Sequence, residues 1–131
     1  MEIKDISVTR LMSTDLVTVS PETSVEAAGE TMLEADIGSV IVMDGDGPTG
    51  ILTSTDFVEM VTSDASTADA PVETVMTEDV VTVSSSDSVR DAAVKMMSDG
   101  VQHLPVADED GGVAGMLSAT DLTAHLSYLE G

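Results

Sequence analysis

The sequence predicts an α/β chain of the α+β type, built as two β-α-β-β-α repeats, and three observations carry that prediction. The chain says nearly the same thing twice: LMSTDLVTVSPETSVEAAGETM from Leu11 returns as VMTEDVVTVSSSDSVRDAAVKM from Val75, and GILTSTD (Gly50 to Asp56) returns as GMLSATD (Gly115 to Asp121). Within each copy, short β-branched runs give way to stretches of helical period. Hydrophobic residues make up 42% of the chain, so it folds despite its charge rather than behaving as an acidic tail. Met12 and Met76 are 64 positions apart and Gly50 and Gly115 are 65 apart, so one residue is added in a mid-repeat loop. A repeat of this size has little interior of its own, and tandem copies pack together to bury a shared core. The functional surface is therefore expected at the seam between the copies.

The elements follow in order. Met1 to Arg10 form a lead-in, expected as an extra strand or short helix packed on the partner copy. Leu16 to Val19 (LVTV) and Val80 to Val83 (VVTV) read as strands, each followed by a turn-forming stretch, SPET or SSSD. Val25, Ala28 and Met32, like Val89, Ala92 and Met96, are spaced i, i+3, i+7, the mark of one buried helical stripe. Thr23 with Glu26 reads as a capping box, and Asp87 takes the equivalent cap position in the second copy. A second strand follows (Ser39 to Asp44, His103 to Asp108), then a turn rich in Asp and Gly, then a third strand, TGILT or AGMLS. Second helices are expected from about Thr55 to Val61 and from about Thr120 to Tyr128. Thr62 to Pro71 (TSDASTADAP) is small, polar and unpatterned and reads as the connector. The division is thus repeat one with its lead-in over 1–64, a linker over 65–71 and repeat two over 72–131, together one module.

Composition excludes several functions. Twenty-five Asp and Glu against 4 Lys and Arg give a formal charge of −21, a field that repels nucleic acid and anionic membranes, whose binding needs clustered cations. Acidic residues spread along the whole chain resemble the surfaces of proteins from salt-loving archaea. Concentrated salt would screen the self-repulsion, because the Debye length shrinks to about 3 Å at 1 M. The absence of cysteine excludes disulfides and thiolate chemistry. No signal peptide is read at MEIKDISVTR, and the apolar stretch Val40 to Met43 falls far short of the roughly 20 residues a membrane-spanning helix needs, so a cytoplasmic location is expected. Aromatic residues are only 2%, which leaves Val, Ile, Leu, Ala and Met to fill the core and weakens any proposal based on aromatic stacking.

Two copies of a VMT…VVTV entry, a hydrophobic-Val-x-Asp middle and a closing G-x-L-[ST]-x-T-D resemble tandem cystathionine-β-synthase-type (CBS) domains over about Arg10 to Leu126. The resemblance implies β-α-β-β-α units whose sheets pack face to face with pseudo-two-fold symmetry and two related clefts between them. It also implies a free-standing, non-enzymatic pair that binds an adenosine-containing ligand such as AMP, ADP, ATP or S-adenosylmethionine. Such a pair reports ligand level to a partner protein, here unidentified, and is expected to be a homodimer.

The closing motif has a physical reading of its own. A strand ending at Thr53 or Ser118 and running into a helix leaves unpaired N–H groups and a positive dipole end at the junction, to which phosphate is attracted. The hydroxyls of Thr53, Thr55, Ser118 and Thr120 can donate to phosphate oxygens; Ser54 and Ala119 complete the two junctions. The carboxylates of Asp56 and Asp121 can accept from ribose hydroxyls, the role the resemblance also assigns them. The alternative is that these residues only start helices, since Thr-x-x-Asp is common there.

The resemblance further implies that the base lies near Thr18, Val19, Ile37, Gly38 and Ser39, and near their counterparts Thr82, Val83, Val101, Gln102 and His103. His103 replaces Ser39 and could contact a phosphate when protonated or be structural; His125 is expected to face solvent or a dimer contact. With Lys4, Arg10, Arg90 and Lys95 as the whole cationic supply, a triphosphate would need Mg²⁺, and S-adenosylmethionine or AMP fits the field better.

DGDG (Asp44 to Gly47) and DEDGG (Asp108 to Gly112) read as hairpin turns rather than calcium loops, and no zinc motif, P-loop or nucleophile elbow occurs. No resident cofactor or metal is expected, and an enzyme is disfavoured. The runner-up to a ligand sensor is a ligand-free dimerisation or scaffold module.

Overall fold

The computed structural model describes residues 6–45, 47–63 and 68–130. Met1 to Asp5 of the lead-in with Lys4, Asp46 of the first turn and residues 64–67 of the connector lie outside the described residues. The chain is of α+β type, with two three-stranded sheets and four helices among those residues. It divides into two compact units, one of Val17–Val80 and one of Met1–Leu16 with Val81–Gly131.

In the unit Val17–Val80, β1 (Thr18–Val19) leads through α1 (Val25–Ala35) to β2 (Ser39–Asp44), which pairs with β3 (Gly47–Thr53) and runs into α2 (Ser54–Thr62). The sheet order is β1-β2-β3, with β1 parallel and β3 antiparallel to the central strand. The other unit repeats the plan: β4 (Val83–Ser84), α3 (Val89–Asp99), β5 (His103–Ala107), β6 (Val113–Ser118) and α4 (Ala119–Glu130), in sheet order β4-β5-β6. The entry strands are shorter than their β-branched runs suggest. Tight turns take Leu16 N–H to the Thr14 carbonyl and Val80 N–H to the Glu78 carbonyl, which removes these residues from the ladder.

The predicted stripes are the buried helix residues: Val25, Ala28 and Met32 on α1, and Val89, Ala92 and Met96 on α3. The caps differ from expectation by one position. Ser24 caps α1, accepting from Ala27 N–H at 3.0 Å, and Ser88 caps α3 in a reciprocal box with Asp91. Thr23 and Asp87 instead close the preceding turns, accepting from Ser20 N–H at 3.1 Å and Ser84 N–H at 2.9 Å. Both act through side-chain oxygens, but one turn earlier in the chain. The Ser88 backbone and hydroxyl bonds hold the Asp91 carboxyl below the usual carboxylate range. Each of these helices ends on a left-handed residue, Asp36 (φ 55°) or Gly100 (φ 67°), the conformation that stops a helix.

Each core is completed by the segment that precedes the other repeat. Val72 is wholly buried with Val25, Val40, Val42 and Leu52, and the Ala68 and Ala70 carbonyls accept from the first N–H groups of α1. In the other unit Ile6 and Val8 pack with Val83, Val106 and Leu117, and the Ile6 carbonyl accepts from Val89 N–H at 2.7 Å. The lead-in thus contributes a short 3₁₀ turn, Val8–Arg10, packed on the second copy. A helix start leaves orphan donors, and these segments satisfy them while filling the core. Val8→Ala and Val72→Ala are each expected to cost about 2 kcal/mol, read as a lowered guanidinium midpoint with unchanged slope.

Close approach fixes two glycines. Ile51 exchanges both backbone hydrogen bonds with Thr77, and Met116 does the same with Ser13. A Cβ on Gly50 would lie 2.9 Å from the Thr77 carbonyl oxygen, and one on Gly115 would lie 2.7 Å from that of Ser13. The repeated MT/MST segment therefore lies directly over the repeated glycine.

Candidate functional site

The two junctions are built alike. On β2, Ser39 sits opposite Thr53 of β3, and on β5 His103 sits opposite Ser118 of β6. Ser54 N–H donates to the Gly38 carbonyl at 3.0 Å, and Ala119 N–H donates to the Gln102 carbonyl at 2.9 Å. The ends of β3 and β6 are thereby tied to the residues that open β2 and β5. The fold brings residues 37–39 to 53–56, and 101–103 to 118–121.

At the first junction Thr53 Oγ1 accepts from Asp56 N–H at 3.3 Å while Asp56 Oδ2 accepts from Thr53 N–H at 2.8 Å. At the second, Ser118 Oγ accepts from Asp121 N–H at 3.1 Å and Asp121 Oδ2 accepts from Ser118 N–H at 2.8 Å. Each aspartate is thus the N3 member of a capping box, a role that engages one carboxylate oxygen. Asp56 Oδ1 accepts a long bond from the Thr77 hydroxyl at 3.5 Å. A carboxylate has about four acceptor positions, so each cap leaves capacity for further donors. Between the N–H groups taken by the caps stand those of Thr55 and Thr120, both exposed residues. The free-donor inventory is smaller than the bare junction suggests.

Thr18 and Val19 lie opposite Ile41 and Val42 rather than beside Ser39, and Val83 lies opposite Val106. Thr82 precedes β4, and its carbonyl accepts from Lys95 Nζ at 2.5 Å. That contact was not legible in the sequence, where Lys95 shows only as a residue off the buried stripe. Its counterpart in α1 is Thr31, whose hydroxyl returns to the Ala27 carbonyl, so among the described residues this cation contact is made in the second repeat and not at the matching position of the first.

Ser39 is buried, whereas His103 is partly buried and lies within the field of Asp121. Desolvation lowers the His103 pKa, and the Asp121 carboxylate opposes that shift without cancelling it. The unfolded chain therefore takes up the proton first. The stability this neutral imidazole contributes is complete above about pH 6.5 and is lost as pH falls toward the lowered folded value. His103→Gln is expected to flatten the decline of the melting midpoint across that window, as scanning calorimetry would record. His125 has its Nε2 buried without a partner among the described residues. No set of three or more metal-ligating side chains occurs among them, and no helix there is long and apolar enough to cross a membrane.

The CBS-domain family model matches residues 3–63 and 72–128, and the chain belongs to the CBS-domain family as a tandem pair. It is 32% identical over 120 residues to a 17.7 kDa protein of Acidianus ambivalens, covering 91% of this chain and 72% of that one. A homoserine O-acetyltransferase of Methanocorpusculum labreanum is 33% identical over 119 residues, which is 90% of this chain but 24% of the enzyme. The chain therefore spans between about a quarter and three quarters of the lengths of these curated relatives. A conserved protein of Pyrococcus horikoshii has the same fold, with TM-score 0.87 and 28% identity over 95% of this chain and 94% of that one. The CBS domain pair of protein MJ0100, solved in complex with 5′-methylthioadenosine and S-adenosyl-L-methionine, gives TM-score 0.84 over 92% of this chain and 98% of that one. At 22% identity that likeness shows the fold.

Proposed function

We propose that this CBS pair is a regulatory module that binds an adenosine-containing ligand at its two strand-to-helix junctions and signals the ligand's level to a partner protein. The observation that carries the reading is the duplicated capping box. Asp56 and Asp121 are each held rigid by a backbone N–H through one oxygen, so the rest of the carboxylate is oriented toward a diol without further loss of side-chain freedom. The Thr55 and Thr120 N–H groups and hydroxyls stand beside them as phosphate donors. That MJ0100 was solved with two adenosine derivatives supports the ligand class. In this reading the ligand is bound and released unchanged. It stabilises one arrangement of the module in proportion to its differential affinity, and that shift is the signal.

Among ligands, S-adenosylmethionine and AMP suit a chain of charge −21 better than ATP, which would bring Mg²⁺ with it. The acidic surface supports a cytoplasm of concentrated salt as the working environment. Calorimetric titration of the full chain in molar KCl with AMP, Mg-ATP and S-adenosylmethionine tests the reading: saturable heat with at least one is expected. Silence with all three, on a folded sample, would favour a homodimeric scaffold. That second reading draws on the exposed apolar residues of the helices, Leu33, Val61 and Met97 among them.

A further inference from the structure

The two junction aspartates are not equally free. Asp56 Oδ2 accepts from Thr53 N–H at 2.8 Å and from the Thr53 hydroxyl at 3.2 Å, and its Oδ1 accepts from the Thr77 hydroxyl at 3.5 Å. Among the described residues Asp121 accepts only from Ser118 N–H, through Oδ2 at 2.8 Å. A carboxylate offers about four acceptor positions, so about one stays open at Asp56 and about three at Asp121. A ribose diol brings two donors. It fits Asp121 whole, whereas Asp56 takes a single hydroxyl unless an internal bond is given up.

The difference originates outside the capping motif. Thr77 belongs to the segment that crosses Gly50 and exchanges backbone bonds with Ile51, and Ser13 makes the same bridge to Met116 in the other unit. Among the described residues the Ser13 hydroxyl makes no bond to Asp121, while that of Thr77 reaches Asp56. The neighbouring carbonyls follow the same pattern. The Gly38 carbonyl accepts from Ser54 N–H at 3.0 Å and from the Ser54 hydroxyl at 3.3 Å, whereas Ala119 has no hydroxyl and gives the Gln102 carbonyl its N–H alone. The contrast lies in the number of open acceptors rather than in long-range charge, so concentrated salt does not erase it.

Given the adenosine-binding role proposed for these junctions, we propose that they are ranked: the junction at Asp121 is the tighter site and reads the 2′,3′-diol, and the junction at Asp56 is the weaker site and reads one hydroxyl, with Thr77 setting the difference. Thr77 acts through Asp56 and is a positioning residue. Rising ligand fills the Asp121 junction first, which gives the module two thresholds of response.

The test is calorimetric titration of the full chain in molar KCl with AMP, Mg-ATP and S-adenosylmethionine, then with the 2′-deoxy counterpart of whichever binds. Two phases about tenfold apart are expected. Loss of the 2′-hydroxyl should weaken the tighter phase by about tenfold and the weaker phase far less, because the 3′-hydroxyl can take the one open position at Asp56. Asp121→Asn should weaken the tighter phase and Asp56→Asn the weaker. Thr77→Val keeps the branched shape and the backbone bridge while freeing Oδ1, so it should tighten the weaker phase and make it sensitive to the 2′-hydroxyl. A purely structural role would do neither. Ser13→Ala, the matched control, should leave both phases in place. A single phase lost with Asp121→Asn would also support the ranking. Phases of equal affinity and equal 2′-deoxy penalty, a single phase lost with Asp56→Asn, or a Thr77→Val chain that titrates as the parent would overturn the ranking and leave the adenosine site standing. Silence with all three ligands on a folded chain would overturn both.

Discussion

Moved from molar KCl into dilute buffer, the chain is expected to lose most of its far-UV helical signal and its cooperative melting transition. The physical basis is a formal charge of −21 on 131 residues, with a stretch from Leu11 to Val89 that contains no basic side chain. Within the unit Val17–Val80, self-repulsion therefore has no internal cation to offset it. At an ionic strength of about 0.1 M the Debye length is about 10 Å, whereas at 1 M it is about 3 Å and charges further apart than that are largely screened from one another. Native stability is a small difference of about 5–15 kcal/mol between large terms, so unscreened repulsion is expected to reverse its sign. Far-UV circular dichroism across a KCl series checks this, and a spectrum that stays constant down to dilute buffer would contradict it.

The second large effect is expected from valine at Gly50 or Gly115. Even a single added carbon would sit 2.9 or 2.7 Å from a backbone carbonyl oxygen, well inside contact distance. The oxygen cannot retreat freely. It accepts from Ile51 N–H at 3.0 Å in one case and from Met116 N–H at 2.9 Å in the other, and the same residues return a second bond. Overpacking of this kind costs about 1–3 kcal/mol, and giving up the two-bond bridge adds about 1 kcal/mol per hydrogen bond. Gly50→Val and Gly115→Val should each lower stability by about 3 kcal/mol, measured by guanidinium unfolding. Glycine at Gly47, where an added Cβ meets nothing within 4 Å, provides the control: Gly47→Val should change stability far less.

What could be read from the sequence was what repeats or has a period. The stripes Val25, Ala28, Met32 and Val89, Ala92, Met96 carry the 3.6 period into the two cores, and the closing strands and helices fall where GILTSTD and GMLSATD place them. The caps were displaced by one residue because Thr23 and Asp87 offer the same oxygen chemistry as Ser24 and Ser88 and find use in the adjoining turn. Ile6, Val8 and Val72 gave no signal, since a lone apolar residue in a short segment has no period to reveal its burial. The repeated glycines were visible, but their reason lies with Thr77 and Ser13, which only the fold brings close. At the junctions, the residue types were legible and the hydrogen bonds were not. Sequence alone could not show that the caps occupy one oxygen of each aspartate and two of the N–H groups.

That occupancy defines the most direct test of the ligand site. Asp56→Asn and Asp121→Asn each keep a side-chain oxygen for the cap while removing the charge and one acceptor, whereas Thr53→Ala and Ser118→Ala remove the cap hydroxyl at a stability cost of about 1 kcal/mol and leave the carboxylate intact. With the adenosine ligand that binds best in molar KCl, calorimetric titration should show the asparagine double variant at least about tenfold weaker than the alanine double variant, whose loss is limited to the cap and one hydroxyl donor per junction. Asparagine variants that bind as the parent does would show that these aspartates only begin their helices.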